Sequence, residues 1–98
     1  MKLNKEMNGK ELTIAIEGRV DTMTSPELDQ MINDSAKNVE SLVLDFANVE
    51  YISSAGLRVL LKAYKAMSKK SGMTIKNAGE DLQEIFEITG FTDILNIV

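Results

Sequence analysis

Apolar and polar residues alternate from Leu12 to Glu17, with Leu12, Ile14 and Ile16 set between Thr13, Ala15 and Glu17. Period two describes a strand with one buried face. A shorter candidate strand, Leu3 to Met7, precedes it, and Asn8-Gly9 between the two is a strong hairpin signal. The two runs are expected to pair antiparallel, with Gly18 closing the second. Asp21 to Glu27 then reads as a helix start. A Ser or Thr cap precedes Pro26, which the first turn tolerates, and Glu27 and Asp29 suit the positive end of the helix dipole. Leu28, Met31, Ile32 and Ser35 or Ala36 recur at helical spacing until the pattern fades near Lys37-Asn38.

Leu42-Val43-Leu44 is a continuous apolar run, which suits a central strand covered on both faces and ended by Asp45. Phe46 to Ile52 reads as a connection with apolar anchors. A long helical pattern follows Ser53-Ser54 to about Ser71, where Gly72 stops it. Its expected core stripe is Leu57, Leu60, Leu61, Tyr64 and Met67. Arg58, Lys62, Lys65 and Lys69 form a basic stripe, and Val59, Ala63 and Ala66 a third, small face. Met73 to Lys76 alternates again, and Asn77-Ala78-Gly79 turns. Leu82, Ile85, Phe86 and Thr89 share one face of a last helix, with Gly90 as a left-handed cap. Phe91, Ile94, Leu95 and Ile97 make an apolar tail expected to pack back on the core. The order is β-β-α-β-α-β-α. It predicts one α/β domain over residues 1–98: a mixed sheet with an N-terminal hairpin and right-handed βαβ units, covered by helices.

Composition narrows the function. The 98 residues suit a single domain. There is no Cys and no His, which removes disulfides, thiolate or imidazole metal ligands and Ser-His-Asp catalysis. A net charge of -4 argues against nucleic acid as the main partner. No apolar run approaches the ~20 residues of a membrane span, and the first residues lack a signal-peptide core. No membrane partner and a cytoplasmic location are therefore expected. Asp21, Asp45 and Glu50 are the candidate acids. Asp21 and Asp45 could meet near strand ends and hold Mg²⁺ or move protons, but no set of nucleophile, base and orienter is visible, nor any Gly-rich phosphate loop. The expectation is a protein that is not an enzyme, with no metal and no cofactor.

The informative stretch is Tyr51 to Arg58, where two hydroxyls stand at a helix start, followed by Ala55-Gly56. A serine there caps free backbone N–H groups. One would suffice, so the second is the unusual feature. Gly56 permits close approach of another group. A helix N-terminus also favours an anion, so a phosphate on either serine could be held there.

The run Val43 to Leu61, with Ile52-Ser53-Ser54-Ala55-Gly56-Leu57 at its centre, resembles the signature of STAS domains. Among these it is most similar to the bacterial anti-sigma factor antagonists. Glu17-Gly18-Arg19-Val20-Asp21 and Ile85-Phe86-Glu87-Ile88-Thr89-Gly90-Phe91 match in the right order. The resemblance implies a STAS-like fold and a switching cycle. The unphosphorylated protein binds an anti-sigma factor that is also a serine kinase, and a sigma factor is released. Phosphorylation of a serine at the helix start ends binding, and a metal-dependent serine phosphatase restores it. Aligning on Gly56-Leu57 puts the phosphoserine at Ser54, with Ser53 as second choice. Ser53 stands where the family usually has Asp. The implied partner surface is Asp21, Thr22, Met23, Ser53, Ser54, Gly56, Arg58 and Lys62, and a monomer is expected when free. The alternative is a constitutive subunit of a lipid-transport or sensory complex without such a cycle.

Overall fold

The computed structural model describes residues 1–98. The hairpin forms as expected: β1 (Lys2–Asn8) and β2 (Glu11–Val20) pair antiparallel. Next come α1 (Ser25–Ser35), β3 (Ser41–Ile52), α2 (Ser54–Met67), β4 (Met73–Lys76), α3 (Glu80–Ile88) and β5 (Asn96–Ile97). The five strands lie in the order β1-β2-β3-β4-β5, with every pair after the hairpin parallel.

That order dictates the layering. Each strand from β2 onward is followed by its immediate neighbour, always in the same direction across the sheet. Right-handed crossovers then place all three helices on one face. Burial agrees, because Leu12, Ile14, Ile16, Leu42, Leu44, Phe46, Met73 and Ile75 are buried. Their alternates Thr13, Ala15, Val43, Asp45, Thr74 and Lys76 are only half-buried. The expected cover on both faces of Leu42-Val43-Leu44 is therefore corrected. Val43 lies on an open face between Thr13 and Thr74.

Two strand ends also need correction. β3 does not stop at Asp45 but runs on to Ile52, and β2 does not close at Gly18 but continues to Val20. The two strands stay paired because register shifts after Ala15 and Gly18 absorb the mismatch, and Gly18 takes φ +100°. The broken alternation hid this pairing in the sequence. At the other end Leu95 is buried, and Val98 N–H donates to Ile75 O at 2.9 Å, so the apolar tail does return to the core. It does so partly as β5, an element that two residues are too few to announce. Phe86 sits between Phe46 and Phe91, with ring centroids 6.1 and 6.5 Å away, and fastens α3 to the sheet. Gly90 takes φ +80° after α3, the left-handed cap expected there.

α2 ends at Met67, before the expected Ser71. The chain turns so that Lys70 can send its ammonium to the carbonyls of Ala36 and Val39, just beyond α1. A cation there also complements the negative end of that helix. Lys70→Met is expected to cost about 1–3 kcal/mol in urea unfolding, because two half-buried carbonyls lose a charged donor. Lys69→Met, at an exposed neighbour, should stay within about 0.5 kcal/mol.

Candidate functional site

The β2–α1 loop and the start of α2 leave the same end of the sheet, because Val20 pairs with Ile52. Ser53 N–H donates to Val20 O at 2.8 Å and ties the junction to β2. Ser53 is the N-cap of α2, and its hydroxyl accepts the Gly56 N–H at 3.3 Å. Leu57 N–H then donates to Ser53 O at 2.9 Å, the first turn of the helix. Ser54 begins the helix, is exposed, and its hydroxyl makes no hydrogen bond within the chain. The two serines therefore differ: one is engaged in the cap and the other is free.

Gly56 fixes how α2 sits. A Cβ there would stand 2.7 Å from Ile52 Cγ1, 2.8 Å from Val20 Cγ1 and 3.1 Å from Val20 O. Only a residue without a side chain lets the helix come this close. The contact also sets the helix's rotation: Gly56, Val59, Leu60, Ala63 and Met67 face the core. The small face is thus mostly the inner one, which corrects the expected core stripe. Leu60 and Met67 keep their assignment, Leu57 and Tyr64 are half-buried and pack against the core from its margin, and Leu61 is half-exposed. Leu57 and Leu61 lie three and seven residues beyond Ser54, on its own side of the helix. They are candidate site residues that the sequence did not single out, since leucines at helical spacing read as core unless the glycine contact is known.

The loop is built around Asp21. Its Oδ1 accepts the N–H groups of Met23 at 3.0 Å and Thr24 at 3.1 Å. The Thr24 hydroxyl accepts the Asp21 N–H at 2.9 Å and donates to Arg19 O at 2.7 Å. Thr24 is thereby drawn into the loop, and it makes no side-chain cap at the start of α1. The Thr24 N–H is the largest influence on the Asp21 carboxyl and holds it below the usual range. Partial burial opposes this, while the Thr24 hydroxyl, the Met23 N–H and Arg19 add to it. The arrangement holds out Met23, the most exposed large apolar residue at 85%. Thr22 is exposed beside it. Arg19 stacks 4.3 Å from the Tyr51 ring centroid, with Nε 3.8 Å from Asp21 Oδ2. This pair was invisible as long as β3 was read as ending at Asp45, because Arg19 meets Tyr51 only through the extended register.

Of the expected partner surface, Asp21, Thr22 and Met23 share one end of the sheet with Ser53, Ser54 and Gly56. Arg58 lies one turn past Ser54 and is exposed. Lys62 is exposed as well, but its ammonium is 3.2 Å from Asp29 Oδ2, in a bridge from α2 to α1. Gly56 is buried and acts by placing its neighbours. Asp21 and Asp45 do not meet, since six residues of β3 separate Asp45 from Ile52, whose partner Val20 precedes Asp21. Burial would raise the Asp45 carboxyl. The Ala47 N–H at 3.0 Å and the Asn77 amide at 3.1 Å, with Lys76 nearby, outweigh it and hold it low. The largest concavity, about 600 Å³ beside Met1, Gly18 and Val49, does not include Ser53 or Ser54.

Two outcomes follow for stability. Gly56→Ala gains about 1 kcal/mol of helix preference but should lose about 1–3 kcal/mol to overpacking. A net drop in urea stability is expected. A carboxylate held low in the folded state stabilises above its unfolded pKa of about 3.9 and stops doing so as pH falls through the folded value. Asp21→Asn should therefore be less stable than wild type at pH 7, and the gap should close below about pH 4, read by urea unfolding across that range.

The STAS domain family model matches residues 2–98. The Anti-sigma-B factor antagonist of Bacillus subtilis (strain 168) is 28% identical over 98 residues, 99% of this chain and 90% of that protein. The crystal structure of an anti-sigma factor antagonist from Mycobacterium paratuberculosis superposes with a TM-score of 0.89 at 25% identity, covering 98% of this chain and 83% of that one. The Bacillus cell fate determinant SpoIIAA in its phosphorylated form shares the fold, with a TM-score of 0.77 at 15% identity over 99% of this chain and 91% of that one. A match over almost every residue, on a sheet and helix order of the same kind, means that the chain belongs to the STAS domain family, among whose members are anti-sigma factor antagonists.

Proposed function

We propose that the chain is a cytoplasmic anti-sigma factor antagonist controlled by phosphorylation of Ser54. The unphosphorylated form binds an anti-sigma factor that is also a serine kinase, and a sigma factor is released. The kinase then modifies Ser54, binding is lost, and a metal-dependent serine phosphatase resets the protein. The observation that carries this reading is the contrast between the two serines. Ser54 is exposed with a free hydroxyl, while the Ser53 hydroxyl is spent on Gly56 N–H. This favours Ser54 over Ser53 as the acceptor. Leu57, Leu61 and Arg58 supply an apolar and basic surround on the same side of α2, and the Asp21–Met23 loop flanks it.

The energetics suffice without any change of fold. A phosphate adds about -1.5 to -2 charges at pH 7. A 100-fold loss of affinity corresponds to about 2.7 kcal/mol, and one imperfectly paired charge buried in an interface costs at least that. Ser54→Asp should weaken binding to the anti-sigma factor about 100-fold while circular dichroism stays native. Ser54→Ala should bind like wild type and take up no phosphate from the kinase. Ser53→Ala should lose about 1 kcal/mol of stability and remain a substrate. A folded Ser54→Asp that still holds its partner fully would instead favour a constitutive subunit of a lipid-transport or sensory complex, a reading to which Ser53 in the usual Asp position lends weight.

A further inference from the structure

The sheet ends on one side at β1, and no strand lies beyond it. Its seven residues present unpaired backbone N–H and C=O groups. The opposite edge, β5, has only two residues and offers little ladder. Pairing with β2 sorts the side chains of β1. Leu3, Lys5 and Met7 stand opposite buried residues on the helix side, whereas Lys2, Asn4 and Glu6 stand opposite Glu17, Ala15 and Thr13 on the open side.

We propose that β1 pairs antiparallel with β1 of a second copy of this chain, about a two-fold axis at Asn4. A two-fold relating antiparallel edge strands must stand perpendicular to the sheet, so the helix sides stay on one side and the axis passes through a residue. Five centres keep at least three residues of β1 in the ladder. An axis at Lys5 or at Glu6 sets that charge against its own copy, which is unfavourable. An axis at Leu3 or at Met7 leaves a shorter ladder without a charge pair. An axis at Asn4 sets Lys2 opposite the partner's Glu6 at both ends, with Asn4 facing the partner's Asn4 between them. Lysines on an edge commonly guard against pairing, but here each open-side lysine has an acid at the symmetric position.

The helix side fits the same register. A groove of about 320 Å³ separates β1 from α1, lined by Lys5, Glu27, Met31, Asp34 and Ser35 among others. The Ser35 hydroxyl is buried there without a partner. α1 returns against the direction of β2 and so runs alongside β1. The partner's Lys5, opposite Leu3, therefore falls toward Glu27, and the partner's Leu3, opposite Lys5, falls toward Met31. At low concentration the chain remains the monomer expected from its sequence, and the dimer forms as concentration rises.

Sedimentation equilibrium from micromolar to millimolar protein should show association that stops at two, since pairing uses up the edge. Glu6→Lys should weaken it about tenfold by placing like charges at both ends of the ladder, and adding Lys2→Glu should restore it. The chain has no cysteine, so Asn4→Cys introduces a single thiol. Directly opposed residues have Cα atoms about 4.5–5.5 Å apart, within disulfide range. Mild oxidation should link Asn4→Cys into a covalent dimer much faster than Thr92→Cys, which is exposed elsewhere. A wild-type chain that stays monomeric at millimolar concentration overturns the proposal. So does a dimer indifferent to Glu6→Lys, or an Asn4→Cys that oxidises no faster than Thr92→Cys.

Discussion

The structure depends on one contact, the approach of α2 to the ends of β2 and β3 at Gly56. There the space for a side chain is already filled by Val20 and Ile52. With the helix seated this low, Ser53 reaches Val20 O with its own N–H and Gly56 N–H with its hydroxyl. The same contact sets the rotation that turns Val59 and Ala63 inward and leaves Leu57 and Leu61 half in solvent. A bulkier residue at position 56 would lift the helix start and turn the surface beside it. The buried glycine shapes the candidate site by placing its neighbours.

The one-sided sheet is the second organising fact. Parallel strands are commonly buried on both faces, but a sheet whose strands succeed one another as immediate neighbours receives all its crossover helices on one side. The other face carries Thr13, Asp45, Thr74 and Lys76, residues compatible with water. Stability is concentrated between the sheet and a single helical layer, where Phe86 joins α3 to Phe46 and Phe91. The candidate site lies at the strand ends, away from that core.

Much of this was legible in the sequence. Period two gave away β2, Asn8-Gly9 marked the hairpin, and Gly90 marked the end of α3. The helix start at Ser53-Ser54 stood out because two hydroxyls exceed what a cap requires. What could not be read depends on partners distant along the chain. Residues Phe46 to Ile52 form a strand because β2 extends beside them through its bulges, and local pattern carries no trace of that. Leu57 and Leu61 looked like core because helical spacing reports a stripe but not which way it faces. Only the tertiary contact at Gly56 supplies that direction. Arg19 and Tyr51 were missed for the same reason as the end of β3.

The anchored cap has a bearing on time. Ser54 projects from a helix whose first turn is fastened to β2 and closed by Ser53, so a group attached to it alters charge without first having to melt or rearrange anything. Slow conformational steps, on the microsecond-to-second scale of lids and refolding segments, drop out of the cycle proposed here. Its tempo is left to two kinds of rate: dissociation of the partner, and the enzymes that write and erase the phosphate. In that proposed cycle, a phosphate written on Ser54 stays as the record of the last enzyme to act.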